Sequence, residues 1–178
     1  MNIMIVGVGG QGTLLASRIL GKVAIKEGYD VKVSEVHGMS QRGGSVKVYS
    51  PIIDRGEADL ILAFEMLEAM RALPYLKKGG KMIANTQKMN PMPVITGAME
   101  YPENIEEKLS AKINLQAVDA LSLAEKAGTI KAVNVVLIGL LAKSMDVDKN
   151  VWIDVIKETV PEKFLDVNIK AFELGYEL

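Results

Sequence analysis

The chain has 178 residues, of which 49% are hydrophobic and 24% are charged, and its formal net charge is −1. This composition is that of a globular protein large enough to bury a core, and it excludes wholesale disorder. The near-neutral charge excludes the basic block expected of a nucleic-acid-binding protein. Because the chain contains no cysteine, it cannot by itself hold a disulfide scaffold, a cysteine zinc site or a thiolate-ligated iron–sulfur cluster.

The N-terminal segment predicts a buried first strand and not a signal peptide, because Asn2–Val6 is largely apolar and no basic residue precedes it. The longest apolar run, Ala132–Ala142, contains Asn134 and is too short to cross a bilayer, which takes about 20 residues. We interpret this run as a central buried helix; the alternative is a helix that is covered only at a subunit interface. We therefore expect a cytoplasmic protein without a membrane partner.

Strands and helices alternate from the N-terminus onward. After the first strand, Leu15, Ile19 and Val23 recur at helical spacing, and Gly28 lies where a helix C-terminal glycine is expected. The alternating segment Asp30–Val36 predicts a second strand. The later predicted strands are 45–49, 58–64, 81–85 and 113–118; the predicted helices are 66–76, 103–111, 122–127, 132–145, 151–160 and 161–176, the last with Pro161 at its first position. This order predicts a doubly wound, Rossmann-like α/β fold with a mostly parallel sheet and a helical C-terminal third, in one domain spanning residues 1–178.

The first loop carries a glycine fingerprint between a strand and a helix. Gly7, Gly9 and Gly12 match the spacing G-x-G-x-x-G, which gives a tight turn and lets an anion approach the backbone N–H groups at the helix start. The alternative is that these glycines only let the helix pack closely on the strand. The candidate anion-binding residues of this loop are Gly7, Gly9, Gly10, Gln11, Gly12 and Thr13.

A second glycine segment follows the predicted second strand and would lie at the same, carboxyl edge of the sheet, where open α/β sheets bind ligands. Arg42 could clamp a carboxylate or phosphate, or it could be a solvated loop charge. His37, the only histidine, is a poor metal ligand alone and could equally be a turn residue, so we predict no metal site. Glu35 could hold ribose hydroxyls or be an ordinary strand-end charge. The candidates here are Glu35, His37, Gly38, Ser40, Gln41, Arg42, Gly43 and Gly44, and no residue is predicted to be catalytic.

Two segments, Gly7–Thr13 and Glu35–Val46, resemble the gamma subunit or domain of 2-oxoacid:ferredoxin oxidoreductases, most of all the small subunits of the enzymes that act on indolepyruvate. Segments 48–53, 56–59, 65–69 and 132–139 carry the same resemblance, as do Asn168 and residues 171–172. The resemblance implies a subunit of a complex that oxidatively decarboxylates a 2-oxoacid to an acyl-coenzyme A and passes electrons to ferredoxin. The complex would use thiamine diphosphate, Mg²⁺, iron–sulfur clusters and coenzyme A.

The resemblance to the indolepyruvate enzymes implies a large partner subunit that carries both the thiamine and the clusters, and so a chain that alone binds no cofactor. It would instead shape part of a shared site, with coenzyme A phosphates as one candidate anion. Two other hypotheses stay open. The chain could be a stand-alone nucleotide-binding regulatory domain of Rossmann type. It could also be an NAD(P)-dependent dehydrogenase acting alone, although its length leaves little room for a substrate domain.

Overall fold

A computed structural model describes residues 1–34 and 53–178 of the chain. Within these two ranges, the centre is a parallel sheet of four strands in the order β1-β2-β3-β4. The strands are β1 (Ile3–Val6), β2 (Ala58–Ala63), β3 (Leu76–Asn85) and β4 (Asn114–Val118). The register pairs Val6 with Ala63, Ala63 with Ala84, and Asn85 with Val118. The carboxyl ends of the four strands therefore meet at one edge of the sheet.

Eight α-helices are present in the described ranges. They are α1 (Thr13–Lys26), α2 (Met66–Ala72), α3 (Met92–Ile95), α4 (Ile105–Ser110), α5 (Ala120–Ala127), α6 (Val133–Lys143), α7 (Lys149–Thr159) and α8 (Leu165–Tyr176). Short 3₁₀ helices at Leu73–Tyr75, Ile130–Ala132 and Glu162–Phe164 precede β3, α6 and α8.

Helices cover both faces of the sheet. On one face, Leu60 and Leu62 of β2 and Ile83 of β3 belong to a buried cluster with residues of α1, α5, α6, α7 and α8. On the other face, Ile61 and Met82 belong to a second cluster with residues of α2 and α4. Because successive residues of a strand point to opposite faces, neighbours along β2 serve the two different clusters. The predicted doubly wound α/β fold with a parallel sheet and a helical C-terminal third is thus confirmed.

Helix α6 lies at the centre of the larger cluster, and its residues Val133 to Ala142 are all buried. This confirms the interpretation of the apolar run as a central buried helix. Two glycines bring α6 and α8 into backbone contact: a Cβ added to Gly139 would lie 2.1 Å from Phe172 O, and one added to Gly175 would lie 2.0 Å from Val136 O. No side chain larger than hydrogen fits at either position without moving a helix.

Several element predictions differ from the structure. The strand predicted at 81–85 is longer, because β3 begins at Leu76. Asp30–Val36 was expected to be a strand, but Asp30–Ser34 forms none, and Val33 is 62% exposed. An alternating segment becomes a strand only when it pairs with a sheet, and Asp30–Ser34 pairs with no described strand. The predicted helix 66–76 ends at Ala72, because Pro74 belongs to a 3₁₀ turn that leads into β3. Pro161 precedes a 3₁₀ turn and does not open α8.

Candidate functional site

The glycine loop joins β1 to α1 by a tight turn. The Gln11 N–H donates to Val8 O at 3.3 Å, and both Leu15 and Ala16 donate to Gly12 O at 3.1 and 3.2 Å. Gly12 is the residue that caps α1, with φ 80° and ψ 25°. This left-handed conformation favours glycine, and the residue offers no side chain to the first N–H groups of the helix. The amino end of α1 therefore keeps its positive partial charge.

The structure gives different reasons for a glycine at each of the three fingerprint positions. A Cβ on Gly7 would lie 2.9 Å from Gln11 Oε1 and 3.0 Å from Phe64 Cβ. A Cβ on Gly12 would lie 2.5 Å from Asn134 Nδ2. Gly7 and Gly12 are therefore small because the loop packs against β2 and α6. Gly9 is exposed, and a Cβ there would meet nothing within 4 Å, so packing within the described chain does not require a glycine at that position.

A cleft of about 430 Å³ opens beside this loop at the carboxyl edge of the sheet. One wall is the glycine loop from Gly9 to Gly12. The second wall follows β3 and contains Gln87 and Met89. The third combines Leu121 at the start of α5 with the turn that leads into α6. The cleft is lined by Gly9, Gly10, Gln11, Gly12, Gln87, Met89, Leu121, Ile130, Lys131 and Val133.

The cleft is amphipathic. Leu121, Ile130 and Val133 supply apolar surface, and Ile130 is 57% exposed. Lys131 adds a positive charge on the same side. The amino end of α1, which has no side-chain cap, the Lys131 ammonium and the exposed Gly9 and Gly10 favour an anion. The apolar wall favours an organic body attached to it.

A buried carboxylate organises the residues behind the second wall. Glu65 is 1% exposed. Its Oε2 accepts from Glu68 N at 2.9 Å, which caps α2, and its Oε1 accepts from Met89 N at 3.1 Å and from Tyr101 Oη at 2.6 Å. Burial, and next this hydrogen bond to Glu65, raises the pKa of Tyr101 well above its ordinary value. A buried charge is tolerated because three donors satisfy it.

Two asparagines, at the end of β3 and at the start of α6, form hydrogen bonds between the elements at the carboxyl edge of the sheet. Asn85, fully buried at the end of β3, donates to Phe64 O at 3.2 Å and accepts from Ala120 N at 3.2 Å. Asn134 at the start of α6 donates to Gly12 O at 3.3 Å. These contacts fix the strand ends and helix starts around the cleft, and so they hold its walls in place.

Of the residues predicted from the sequence, the structure brings Gly9, Gly10, Gln11 and Gly12 to the cleft. Gly7 and Thr13 flank these residues in the same loop, and Gly7 does not line the cleft because it packs against β2. The second glycine segment, with Glu35, His37, Gly38, Ser40, Gln41, Arg42, Gly43 and Gly44, lies outside the described residues. Its predicted role stays a prediction, as does the strand predicted at 45–49.

Sequence reasoning missed the other walls. Gln87 and Met89 follow β3, while Leu121 follows β4. The available signal was their place immediately after predicted strands, because the carboxyl ends of parallel strands share one edge. Lys131 and Ile130 carried no such signal, since a 3₁₀ turn between two helices brings them to the cleft.

In the described ranges, no group of three or more His, Cys, Asp or Glu side chains could hold a metal ion. The helices in these ranges include none that is long and apolar enough to cross a membrane. The fold and the position of the cleft define the class: a doubly wound α/β protein whose cleft lies at the carboxyl edge, where such proteins bind ligands.

Comparison with known proteins gives the family. The family model described as pyruvate ferredoxin/flavodoxin oxidoreductase matches residues 2–178. The indolepyruvate oxidoreductase subunit IorB of Thermococcus kodakarensis is 44% identical over 98% of this chain and 93% of its own length, and that of Pyrococcus horikoshii is 45% identical with the same coverage. The crystal structure of a keto/oxoacid ferredoxin oxidoreductase gamma subunit from Geobacter sulfurreducens matches with a TM-score of 0.70 at 27% identity, over 98% of this chain and 95% of the other. The chain belongs to the pyruvate ferredoxin/flavodoxin oxidoreductase family.

Proposed function

We propose that this chain is the small subunit of a 2-oxoacid:ferredoxin oxidoreductase that acts on indolepyruvate or a related aryl pyruvate. The relationship to the indolepyruvate oxidoreductase subunits extends over nearly the full length of both chains, and this observation carries the proposal. The resemblance of the two glycine segments to the gamma subunits points the same way.

The absence of cysteine from the sequence supports a partner as the holder of the iron–sulfur clusters, because thiolates are their usual ligands. We further propose that the partner is a large subunit that also holds the thiamine diphosphate and Mg²⁺, and that ferredoxin accepts electrons from that subunit. When bound there, thiamine supplies the chemistry of decarboxylation. This chain would contribute a wall of the shared site.

We propose that the cleft binds an anionic group of a substrate, with the phosphates of coenzyme A as the first candidate. Gly9 supports this role, because a Cβ there would meet no described residue within 4 Å, and a glycine lets a ligand approach the backbone closely. The backbone N–H groups of Gly9 and Gly10 and the Lys131 ammonium would hold the phosphate. The pantetheine-like body of such a ligand could lie on the apolar wall.

The experiment is co-expression of this chain with the proposed large, cysteine-containing subunit, followed by purification on a tag on one subunit. We expect a stable complex that reduces ferredoxin with indolepyruvate and coenzyme A, while each subunit alone is inactive. An isolated chain that binds NAD(H) or ADP tightly and forms no complex would instead favour a nucleotide-binding regulatory domain.

Two substitutions test the cleft within that complex. Gly9→Ala should raise the KM for coenzyme A about tenfold, the effect of losing about 1.4 kcal/mol of binding, without lowering the midpoint of urea unfolding. Lys131→Ala should raise the same KM, whereas Lys126→Ala, at the last turn of α5, should not. Wild-type KM values for both cleft variants would mean that the fingerprint serves packing alone.

A further inference from the structure

The side chain of Gln11 is fully engaged within the chain. Its Oε1 accepts from the Val8 N–H at 2.7 Å, and its Nε2 donates to Phe64 O at 3.2 Å and to Met89 Sδ at 3.3 Å. An amide has one carbonyl and one NH₂ group, and both are used here. Gln11 is therefore poorly placed to act as a direct ligand of an anion, although it lines the cleft.

The partners of Gln11 belong to different walls. Val8 is part of the glycine loop, Phe64 follows the central strand β2, and Met89 lies on the segment after β3. Gln11 thus joins the first wall of the cleft to the second across the end of β2. The amide is half-buried, so water competes weakly for these bonds.

The second wall is itself anchored to the end of β2. The Met89 N–H donates to the buried carboxylate of Glu65, and the Met66 N–H donates to Gln87 O at 3.1 Å. The segment from Gln87 to Met89 therefore has a fixed position, and Gln11 ties the glycine loop to it. Gln11 therefore adds a direct side-chain link between the two walls.

We propose that Gln11 is a positioning residue that sets the separation between the glycine loop and the Gln87–Met89 wall, and thereby the fit of the cleft for its anionic ligand. This inference rests on the proposed function. A ligand held between two walls is sensitive to small displacements of either one, and a misplacement of about 1 Å can cost on the order of 100-fold in rate.

The test compares Gln11→Met with Gln116→Met. Methionine approximates the volume of glutamine but cannot replace its donor and acceptor. Gln116 is a half-buried residue of β4, away from the cleft, and its side chain bonds to no other described residue. The first measurement is hydrogen–deuterium exchange of the isolated chain. We expect the Val8 amide to exchange about tenfold faster in Gln11→Met, as the loss of about 1.4 kcal/mol would give, and at the wild-type rate in Gln116→Met.

The second measurement is steady-state kinetics of the assembled complex with coenzyme A as the varied substrate. A positioning role predicts that Gln11→Met raises the KM for coenzyme A about tenfold, with a smaller change in kcat. A merely structural role predicts a lower kcat, from fewer folded complexes, at unchanged KM.

Wild-type exchange at Val8, faster exchange with an unchanged KM, or a Gln11→Met chain that does not fold would each overturn the inference. The exchange measurement needs no partner subunit. A wild-type complex without coenzyme A-dependent activity would therefore count against the proposed function, whereas wild-type exchange in Gln11→Met counts against the role of Gln11.

Discussion

Replacement of Gly175 by alanine tests the close packing of α8 against α6. The added Cβ would lie 2.0 Å from Val136 O, whereas ordinary van der Waals contact begins at 3.4 Å. The obstructing atom is a backbone carbonyl inside the buried helix α6, so no side chain can rotate aside. Helices α6 and α8 would have to separate, and the cluster around them would open.

Two effects of opposite sign decide the magnitude. Alanine is favoured over glycine in a helix interior by about 1 kcal/mol. Overpacking of a core costs about 1–3 kcal/mol, and more when only backbone can move. Because the clash here is with backbone, we expect overpacking to dominate and Gly175→Ala to lose at least about 2 kcal/mol of unfolding free energy. For a chain of this size that corresponds to a fall of roughly 4–8 °C in Tm.

The matched control is Gly21→Ala in the interior of α1. A Cβ there would lie 3.6 Å from Val33 Cγ2, an ordinary contact, and the backbone φ is not positive. We expect Gly21→Ala to gain about 0.5–1 kcal/mol. Urea unfolding followed by circular dichroism measures both variants. A Gly175→Ala chain as stable as the wild type, or a similar loss in both variants, would refute the close approach of α6 and α8.

Two further predictions follow from single contacts, and a third follows from the sequence of the second glycine segment. Asp119→Ala should cost about 1 kcal/mol, because the carboxylate accepts from Ser122 N and Oγ at 3.0 and 2.6 Å. Those bonds lower the pKa of Asp119, so the difference in unfolding free energy should shrink as the pH falls below about 4. In an absorbance titration, Tyr101 should stay protonated above about pH 10, because burial and the hydrogen bond to Glu65 raise its pKa. The contribution of this hydrogen bond to stability is then full below that pH and is lost as the pH rises. Titration of Tyr101 at the ordinary pKa of tyrosine would contradict the buried contact. Arg42→Ala should lower the activity of the complex without moving the unfolding midpoint, and wild-type activity would make the second glycine segment structural.

Much of the fold could be predicted from local pattern. The apolar run of β2 and the all-round apolar character of α6 are properties of continuous segments, and both were interpreted correctly. The segment Asp30–Ser34 has an equally good alternating pattern but forms no strand. The alternating pattern indicates which side chains the segment would bury if it formed a strand. Strand formation also requires an adjacent strand to pair with, which the local sequence does not specify. The same limit hides the close approach of α6 and α8 at Gly139 and Gly175, which lie on different helices.

The candidate site also has one part that local sequence predicts and another that depends on tertiary packing. The glycine loop could be found because the strand, turn and helix that define it are consecutive. The walls formed by Met89 and Lys131 meet the loop only through the sheet register and the packing of α5 and α6. A rule that inspects the residues after every predicted strand would have found Gln87, Met89 and Leu121, but not Lys131.

The fingerprint itself is less uniform than its sequence suggests. Gly7 and Gly12 are explained by what they touch, Phe64 and Asn134, and would be needed in a loop that bound nothing. Gln11 is committed to holding the loop against the second wall. Gly9 is the one fingerprint glycine at which no described residue would obstruct a side chain. Gly9 and the charge of Lys131 are therefore the features that favour a ligand at this edge. A match to the motif as a whole adds little, because packing already accounts for most of it.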